Sequence, residues 1–574
     1  MERIDNNVLQ KYNEWLMKAP ADLQADLRRI HDNHAEITER FYQDIKFGTA
    51  GLRGKMGAGT NRINALTVGR AAAGLAKTLE KQSVVIAYDN RLNSRYFADV
   101  SASVLLAAGV RVYLFPQLAP TPLLSFAVRY LQCGAGIMIT ASHNGREYNG
   151  FKCYGADGCQ MTEASASKVL RAMADIDYFD LTIPTSDEAA LLERQDRFQY
   201  VAAQVTESYY SSVLQQRRNP EILRQTDLQV LYTPLNGTGS KAVMRILRDC
   251  GVKNLQALPC QQEPDGYFTT CPKPNPEEPA AYEEALKYAE SCNADIIIAT
   301  DPDADRLGVM LAVADGGYKL LTGNEIGCLL LDYLLAAGKK QGALPTNPIA
   351  VKTVVTTPMA EKIAADYDCK VMNLLVGFKY ICEQVGKLTA AGRADDFIIG
   401  FEESNGYLCG NYTGDKDGVL AAMLMVELAA YYRAEGQSLA EKLEQLYSRY
   451  GYYHQVVENI AFEGKSGAEQ MAEFMAAQHA EPLVDLAGKP VIMVADYLKR
   501  QRFDLRTGEA TAINLPKNNM IEYRLQDGSS LVIRPSGTEP KLKLYFNAVA
   551  ETKALAESVV AKMQQAMKIL IKQV

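Results

Sequence analysis

Four stretches of this 574-residue chain concentrate reactive side chains, and a fifth adds a glycine-rich loop. Ser142 lies in Thr-Ala-Ser-His-Asn-Gly-Arg-Glu-Tyr-Asn-Gly-Phe-Lys (140–152), where small neighbours leave its hydroxyl accessible to a ligand. His143 and Lys152 add positive charge and proton-transfer capacity. Taken alone, the string also reads as a Ser/Asn-rich turn with local hydrogen bonds. Adjacent side chains on an extended chain point to opposite sides, so His143 is not by position a base for Ser142. Asp301, Asp303 and Asp305 alternate, and an extended segment puts all three carboxylates on one face. Three close anions repel one another unless a cation neutralises them, and hard oxygen ligands suit Mg²⁺ or Ca²⁺ rather than Zn²⁺. An EF-hand would need Gly and Glu where this chain has Arg306 and Ala312. Apolar runs on both sides argue against a solvated acidic turn, and a metal site is expected.

Arg534, Ser536, Gly537 and Thr538 make a compact anion cradle: a planar fork, two hydroxyls and a glycine that lets the backbone approach. Glu402, Glu403 and Ser404 carry groups that accept from and donate to vicinal sugar hydroxyls, although unaided they read as a charged loop with a helix cap. The stretch 47–54 has close-approach glycines and Arg53, but it is neither GxGxxG nor a P-loop. No aromatic-basic platform for single-stranded nucleic acid is present.

Strands must position these groups. The runs 135–139, 295–299 and 397–400 are short and apolar, and each leads into one of the polar motifs. Elsewhere strand-like runs (84–88, 110–115) alternate with helical ones (96–108, 121–130), the signal for α/β layers with a largely parallel sheet. Ligands in such sheets bind beyond the carboxyl ends of strands. The expectation is therefore three similar α/β domains that aim their strand ends at one cleft. The C-terminal part differs. It reads as strand 530–533, loop 534–540, an alternating half-buried strand 541–548 and a helix 552–572, a smaller α+β domain. The expected domains are 1–205, 206–317, 318–445 and 446–574. The proline-rich stretch 259–279 reads as an extended surface loop before a helix at 280–291.

Composition sets the outer limits. Hydrophobic residues at 48% and charged residues at 22% exclude a disordered, collagen-like or disulfide-scaffold chain. A net charge of −7 gives no global attraction to nucleic acid, so an anionic ligand must be held by a local cluster. No apolar run reaches the roughly 18 residues of a membrane helix. The odd count of 11 cysteines with no CxxC pair points to free thiols in a reducing cytoplasm, and five histidines without HExxH leave little room for zinc.

Taken together, and in their order along the chain, the five segments resemble the α-D-phosphohexomutases, in particular their bacterial phosphoglucomutase branch, from about residue 40 to the C-terminus. The resemblance implies four domains in a heart shape around a central cleft. It implies that Ser142 is phosphorylated and that Asp301, Asp303 and Asp305 hold Mg²⁺ with a phosphoserine oxygen. Arg306 would lie beside the reacting phosphoryl group, Lys152 would be a general acid/base, and Arg53 and His143 would support that centre. Glu402 and Ser404 would grip sugar hydroxyls. Arg534, Ser536, Gly537 and Thr538 would hold the phosphate that is not reacting. Lys379, in Val-Gly-Phe-Lys (376–379), would sit in a specificity loop, and Lys416 near the substrate phosphate. The implied reaction interconverts glucose 1-phosphate and glucose 6-phosphate, with glucose 1,6-bisphosphate as intermediate and activator. The alternatives are a phosphopentomutase or phosphomannomutase, and less readily a Mg²⁺-dependent sugar phosphatase. Sugar phosphates are the expected partners, with no nucleic acid and no membrane. Two departures stand out. Gly145 replaces a usual proline, which implies a looser loop. Phe401 separates Gly400 from Glu402 as in phosphopentose-handling relatives, which softens the choice of sugar.

Overall fold

The apolar runs that end in polar motifs become inner strands of three separate sheets. A computed structural model describes residues 4–48, 51–185, 188, 192–314, 316–462, 464–536 and 541–572. Among these residues the first sheet runs, edge to edge, Gly51–Lys55, Tyr148–Gly155, Ala135–Ile139, Ser83–Tyr88, Arg111–Leu114 and Phe198–Tyr200. The second runs Tyr318–Leu320, Leu307–Ala312, Ile296–Thr300, Gln229–Thr233 and Asn254–Ala257. The third runs Lys370–Leu374, Ile349–Thr353, Phe397–Glu402 and Gly406–Leu408. Each repeats one unit: a parallel strand enters a polar loop and returns as an antiparallel neighbour. Those loops are 140–147, 301–306 and 403–405. Ile296–Thr300 and Phe397–Glu402 are buried at every position, as expected for strands covered by helices on both faces.

Helices Gly323–Lys340 and Gly418–Ala434 are apolar nearly all round and lie inside the protein. Asp332, which interrupts the first of them, is buried beside Lys442 at 2.8 Å. Among the described residues no helix is long and apolar enough to cross a membrane.

The C-terminal part is an antiparallel sheet in the order Tyr452–Ala461, Lys541–Ala550, Ser530–Pro535, Ile521–Leu525, Lys489–Asp496, Gln501–Asp504 and Ala510–Ala512. Helix Lys553–Ile571 packs on the face that carries Leu542, Leu544 and Phe546. The other face is not left to water: Tyr545, Val532 and Met493 pack against Val355, Leu375 and Tyr380 of the third domain. The architecture is thus α/β in three parts, with an α+β fourth.

The stretch 259–279 departs from expectation. It forms a short helix, Pro259–Gln262, and then folds inward, so that Gln261, Phe268 and Cys271 are buried. The following helices are Pro279–Tyr282 and Glu283–Cys292. All 11 cysteines are free thiols, and nine are buried.

Candidate functional site

Ser142 adopts a left-handed φ of 54°, an uncommon conformation for a residue with a side chain. The chain therefore is not extended there, and the expected divergence of Ser142 and His143 does not occur. Ser142 Oγ lies 3.3 Å from His143 Nδ1 and donates to Asp301 Oδ2 at 2.8 Å. Desolvation, then the cations Arg306 and Arg53, push the His143 imidazole well below its usual range, which keeps it neutral.

The acidic motif is likewise a turn and not an extended segment. Ala304 has φ 53°, and its N–H donates to Asp301 O at 2.9 Å. The turn gathers ligand oxygens of Asp301, Asp303 and Asp305 within 4.8 Å of one another, all buried. Asp301 Oδ1 accepts from the backbone of Asp305 and Arg306 at 3.1 and 3.0 Å. Asp303 Oδ2 accepts from Lys152 at 2.7 Å and Thr121 at 2.9 Å. Asp305 Oδ2 faces Lys152 at 3.2 Å and Lys416 at 3.0 Å. Asp303 Oδ1 and Asp305 Oδ1 are buried without a hydrogen-bond partner. Orphaned carboxylate oxygens beside a third carboxylate and a serine hydroxyl fit a hard divalent cation.

Burial, then the neighbouring Asp303 and Asp305, raise the Asp301 carboxyl far above the carboxylate range. Burial works in the same direction on Asp303, but the Lys152 ammonium outweighs it and holds that carboxyl low. Burial alone would lower Lys152, yet Asp303 and Asp305 raise it, so the lysine is held charged. A general base needs the opposite shift.

The acidic turn is pinned from three domains. Thr121 N–H donates to Asp303 O at 2.9 Å, Thr238 N–H to Pro302 O at 2.8 Å, and Gly418 N–H to Ala304 O at 3.1 Å. A Cβ at Gly418 would sit 2.7 Å from Arg306 O, so only glycine lets that helix start so close. Asn405, also left-handed at φ 62°, donates through Nδ2 to Leu307 O at 2.9 Å, while its own carbonyl accepts from Leu307 N–H at 3.1 Å. Arg306 reaches Glu277 at 2.5 Å.

Glu402 is 6% exposed. Burial, with Glu403 adding to it against Lys416, raises its carboxyl to about 7. Phe401 turns the other way and is fully buried: a Cβ on Gly327 would meet its ring at 2.2 Å. The extra residue before Glu402 therefore fills core space. Ser404 is half-buried in the turn beyond Glu402. The raised carboxyl has a consequence for stability. Below about pH 4.5 both folded and unfolded forms are protonated and the site costs nothing. Between about 4.5 and 7 the folded state keeps a proton that the unfolded chain has lost, so stability falls as pH rises. Above 7 the cost of the buried charge is complete, at about 3 kcal/mol. Without sugar phosphate, Glu402→Gln is expected to raise the melting temperature at pH 8 and leave it nearly unchanged at pH 4.5, measured by thermal denaturation.

Arg534 sits on Tyr545, with Nε and Nη2 each 3.2 Å from its hydroxyl, and its charge acts on Glu403. Ser536 N–H donates to Lys541 O at 2.7 Å. Gly537 and Thr538 lie outside the described residues. Arg53 Nη1 donates to Asn144 Oδ1 at 3.3 Å, beside the serine loop. The Lys379 ammonium donates to Glu163 at 2.6 Å, on a helix of the first domain. Thr121, Arg91 and Glu277 were not singled out in the sequence. Arg91 had a signal, since Asp-Asn-Arg (89–91) also follows an apolar strand; Thr121 and Glu277 had none beyond neighbouring prolines.

Known proteins resemble this chain over most of its length. Residues 44–179, 207–314 and 322–450 match the models of phosphoglucomutase/phosphomannomutase alpha/beta/alpha domains I, II and III, and 460–565 that of the C-terminal domain. A phosphoglucomutase of Staphylococcus epidermidis (strain ATCC 35984) is 35% identical over 540 residues, covering 93% of this chain and 96% of its own. One of Staphylococcus aureus (strain USA300) is 32% identical, covering 93% and 94%. Among solved structures, the open form of pp63/parafusin, a phosphoglucomutase from Paramecium, superposes with a TM-score of 0.66 at 18% identity, covering 91% of this chain and 93% of that one. A phosphoglucomutase/phosphomannomutase family protein from Burkholderia thailandensis gives 0.65 at 18% identity, covering 92% and 98%. With four domain models matched in order over most of its length, the chain belongs to the phosphoglucomutase/phosphomannomutase family of α-D-phosphohexomutases.

Proposed function

We propose that this protein is a phosphoglucomutase that interconverts α-D-glucose 1-phosphate and glucose 6-phosphate, with the phosphoryl group carried on Ser142. The observation that supports it most is the 2.8 Å contact of Ser142 Oγ with the buried acidic cluster, two of whose oxygens have no partner. A phosphoserine adds a charge of roughly −1.5 to −2. Beside three carboxylates that charge is tolerated only with a counter-cation. Asp301, Asp303 and Asp305 are the residues to hold Mg²⁺, which when bound supplies electrostatic stabilisation of the transferring group.

The chain's own groups divide the remaining work. Phosphoryl transfer requires in-line positioning and charge stabilisation. Arg306, oriented by Glu277, offers its guanidinium to the equatorial oxygens, and Arg53 reaches the serine loop at Asn144. Glu402 and Ser404 accept from and donate to sugar hydroxyls. Lys152 is the candidate to take the proton of the attacking hydroxyl. The carboxylates that hold it charged are the ones proposed as metal ligands, so their engagement elsewhere weakens the pull that keeps the proton on Nζ. Neutral His143 accepts or donates beside Ser142 without adding charge. After the first transfer, glucose 1,6-bisphosphate turns so that its other phosphate faces Ser142. The 534–538 segment then grips the end that is not reacting. Lys379 and Lys416 are the cations proposed to meet the substrate as it binds.

Two measurements test this reading. Turnover of glucose 1-phosphate should exceed that of mannose, ribose and deoxyribose 1-phosphates in a side-by-side assay; a pentose phosphate turned over faster would replace the sugar assignment. Arg534→Ala removes a bidentate phosphate grip. It should raise KM by about 10- to 100-fold, in line with loss of charge-assisted hydrogen bonds. Phosphorylation of Ser142 by glucose 1,6-bisphosphate, followed by intact mass, should survive better in that variant than steady-state turnover.

A further inference from the structure

One arginine that meets no substrate in this scheme is as fully enclosed as the acidic cluster. Arg91 follows strand Ser83–Tyr88, directly beside the strand that leads to Ser142. Its side chain and that of Asp89 are both 0% exposed, with Nε 3.1 Å from Asp89 Oδ2. Asp89 is itself tied, through Oδ1, to Arg91 N–H at 3.0 Å and Ser94 Oγ at 2.7 Å. The far end of the guanidinium is spent wholly on the serine loop. Nη1 donates to Gly145 O at 2.8 Å and Tyr148 O at 3.2 Å. Nη2 donates to Asn144 O at 2.5 Å and to Ser142 O. Three carbonyls of the loop and the first of the strand that follows it thus converge on one planar fork.

The clamp has a lid from the second domain. The ring of Phe268, fully buried and in the left-handed region at φ 50°, covers the guanidinium at 4.9 Å. The neighbouring Gly266 comes so close that a Cβ there would lie 2.5 Å from Asn90 O. The inward fold of 259–279 therefore bears on the serine loop through Arg91, and on the acidic turn through the Glu277–Arg306 pair.

We infer that Arg91, locked between Asp89 and Phe268, is the positioning residue that aims Ser142 at the acidic cluster. The inference rests on the phosphoserine reading above. Ser142 holds a left-handed backbone, and Gly145, three residues on, adds no side chain to stiffen the loop. Something else must hold the loop, and Arg91 touches three of its carbonyls and the one just beyond it. Lysine cannot replace it: an ammonium keeps the charge but has three donors and no fork.

The test is Arg91→Lys, assayed with glucose 1-phosphate and glucose 1,6-bisphosphate in the full-length, metal-loaded protein beside Ser142→Ala. A misaimed nucleophile lowers kcat by about 100-fold, while KM stays within about twofold because the Arg534 side of the cleft is untouched. A kcat within about threefold of wild type overturns the inference, as does a fall in kcat matched by an equal rise in KM. If thermal melting shows that Arg91→Lys does not fold, Phe268→Leu decides. It removes the aromatic face and keeps an apolar side chain, and kcat should drop about fivefold at unchanged KM; an unaltered kcat overturns the inference. Turnover surviving in Ser142→Ala would instead sink the phosphoserine reading, whatever the Arg91 variant does.

Discussion

Ser142→Ala is expected to lose at least about 10⁴-fold in turnover of glucose 1-phosphate, the scale of removing a covalent nucleophile. The variant isolates chemistry from structure unusually well. The left-handed backbone at 142 is no harder for alanine than for serine, and the carbonyl that Arg91 holds is retained. Only Oγ is lost, with its contacts to Asp301 and His143. Sugar-phosphate affinity should therefore stay within a few fold, measured by equilibrium titration. Intact mass after incubation with glucose 1,6-bisphosphate should show no phosphoryl gain, whereas the wild type gains one. A variant that still turned over at 1% or more of wild type (about a 100-fold loss) would remove the serine from the mechanism.

The second large effect is at the acidic turn. Asp303→Ala should reduce turnover by at least about 10³-fold and abolish the response to added Mg²⁺. Chelation of the wild type with EDTA should give a comparable loss, restored by Mg²⁺. Asp303 contributes one of the two orphaned oxygens and, through its other oxygen, holds Lys152 and Thr121. The alanine variant thus also leaves Lys152 with Asp305 alone, and breaking a buried pair costs about 3–5 kcal/mol. Asp303→Asn separates the two losses: it preserves volume and the bond from Thr121 but removes a charge. It should keep most of the stability and still fail to respond to Mg²⁺. If EDTA left the wild type unaffected, or Asp303→Asn titrated with Mg²⁺ as the wild type does, the acidic cluster would not be a metal site.

How much of this could be read from the chain depends on distance along it. Strand 135–139 and helix 121–130 match the structure residue for residue, because burial of a parallel strand and the 3.6-residue period leave a local pattern. The hydroxyl, carboxylate and guanidinium motifs were visible for the same reason. Their conformations were not. Ser142, Ala304 and Asn405 all turn left-handed, and nothing in Ser-His-Asn or Asp-Pro-Asp announces that. Period-two reasoning put three aspartates on an extended face, whereas a turn brings them together. Alternation in 541–548 reads as a half-buried strand, but a neighbouring domain covers the face that carries Tyr545.

The sequence by itself determined the kinds of group available, the strands that carry them and their order along the chain, since residue type and short-range periodicity are local properties. Tertiary structure alone decided which groups meet. The bond between Ser142 and Asp301 spans 159 positions, and that between Lys152 and Asp303 spans 151. Such pairings form only when whole domains dock, and docking depends on buried surfaces whose partners lie hundreds of residues away. That is why the contacts of Arg91 and Glu277, and the inward fold of the proline-rich stretch, became visible only in three dimensions.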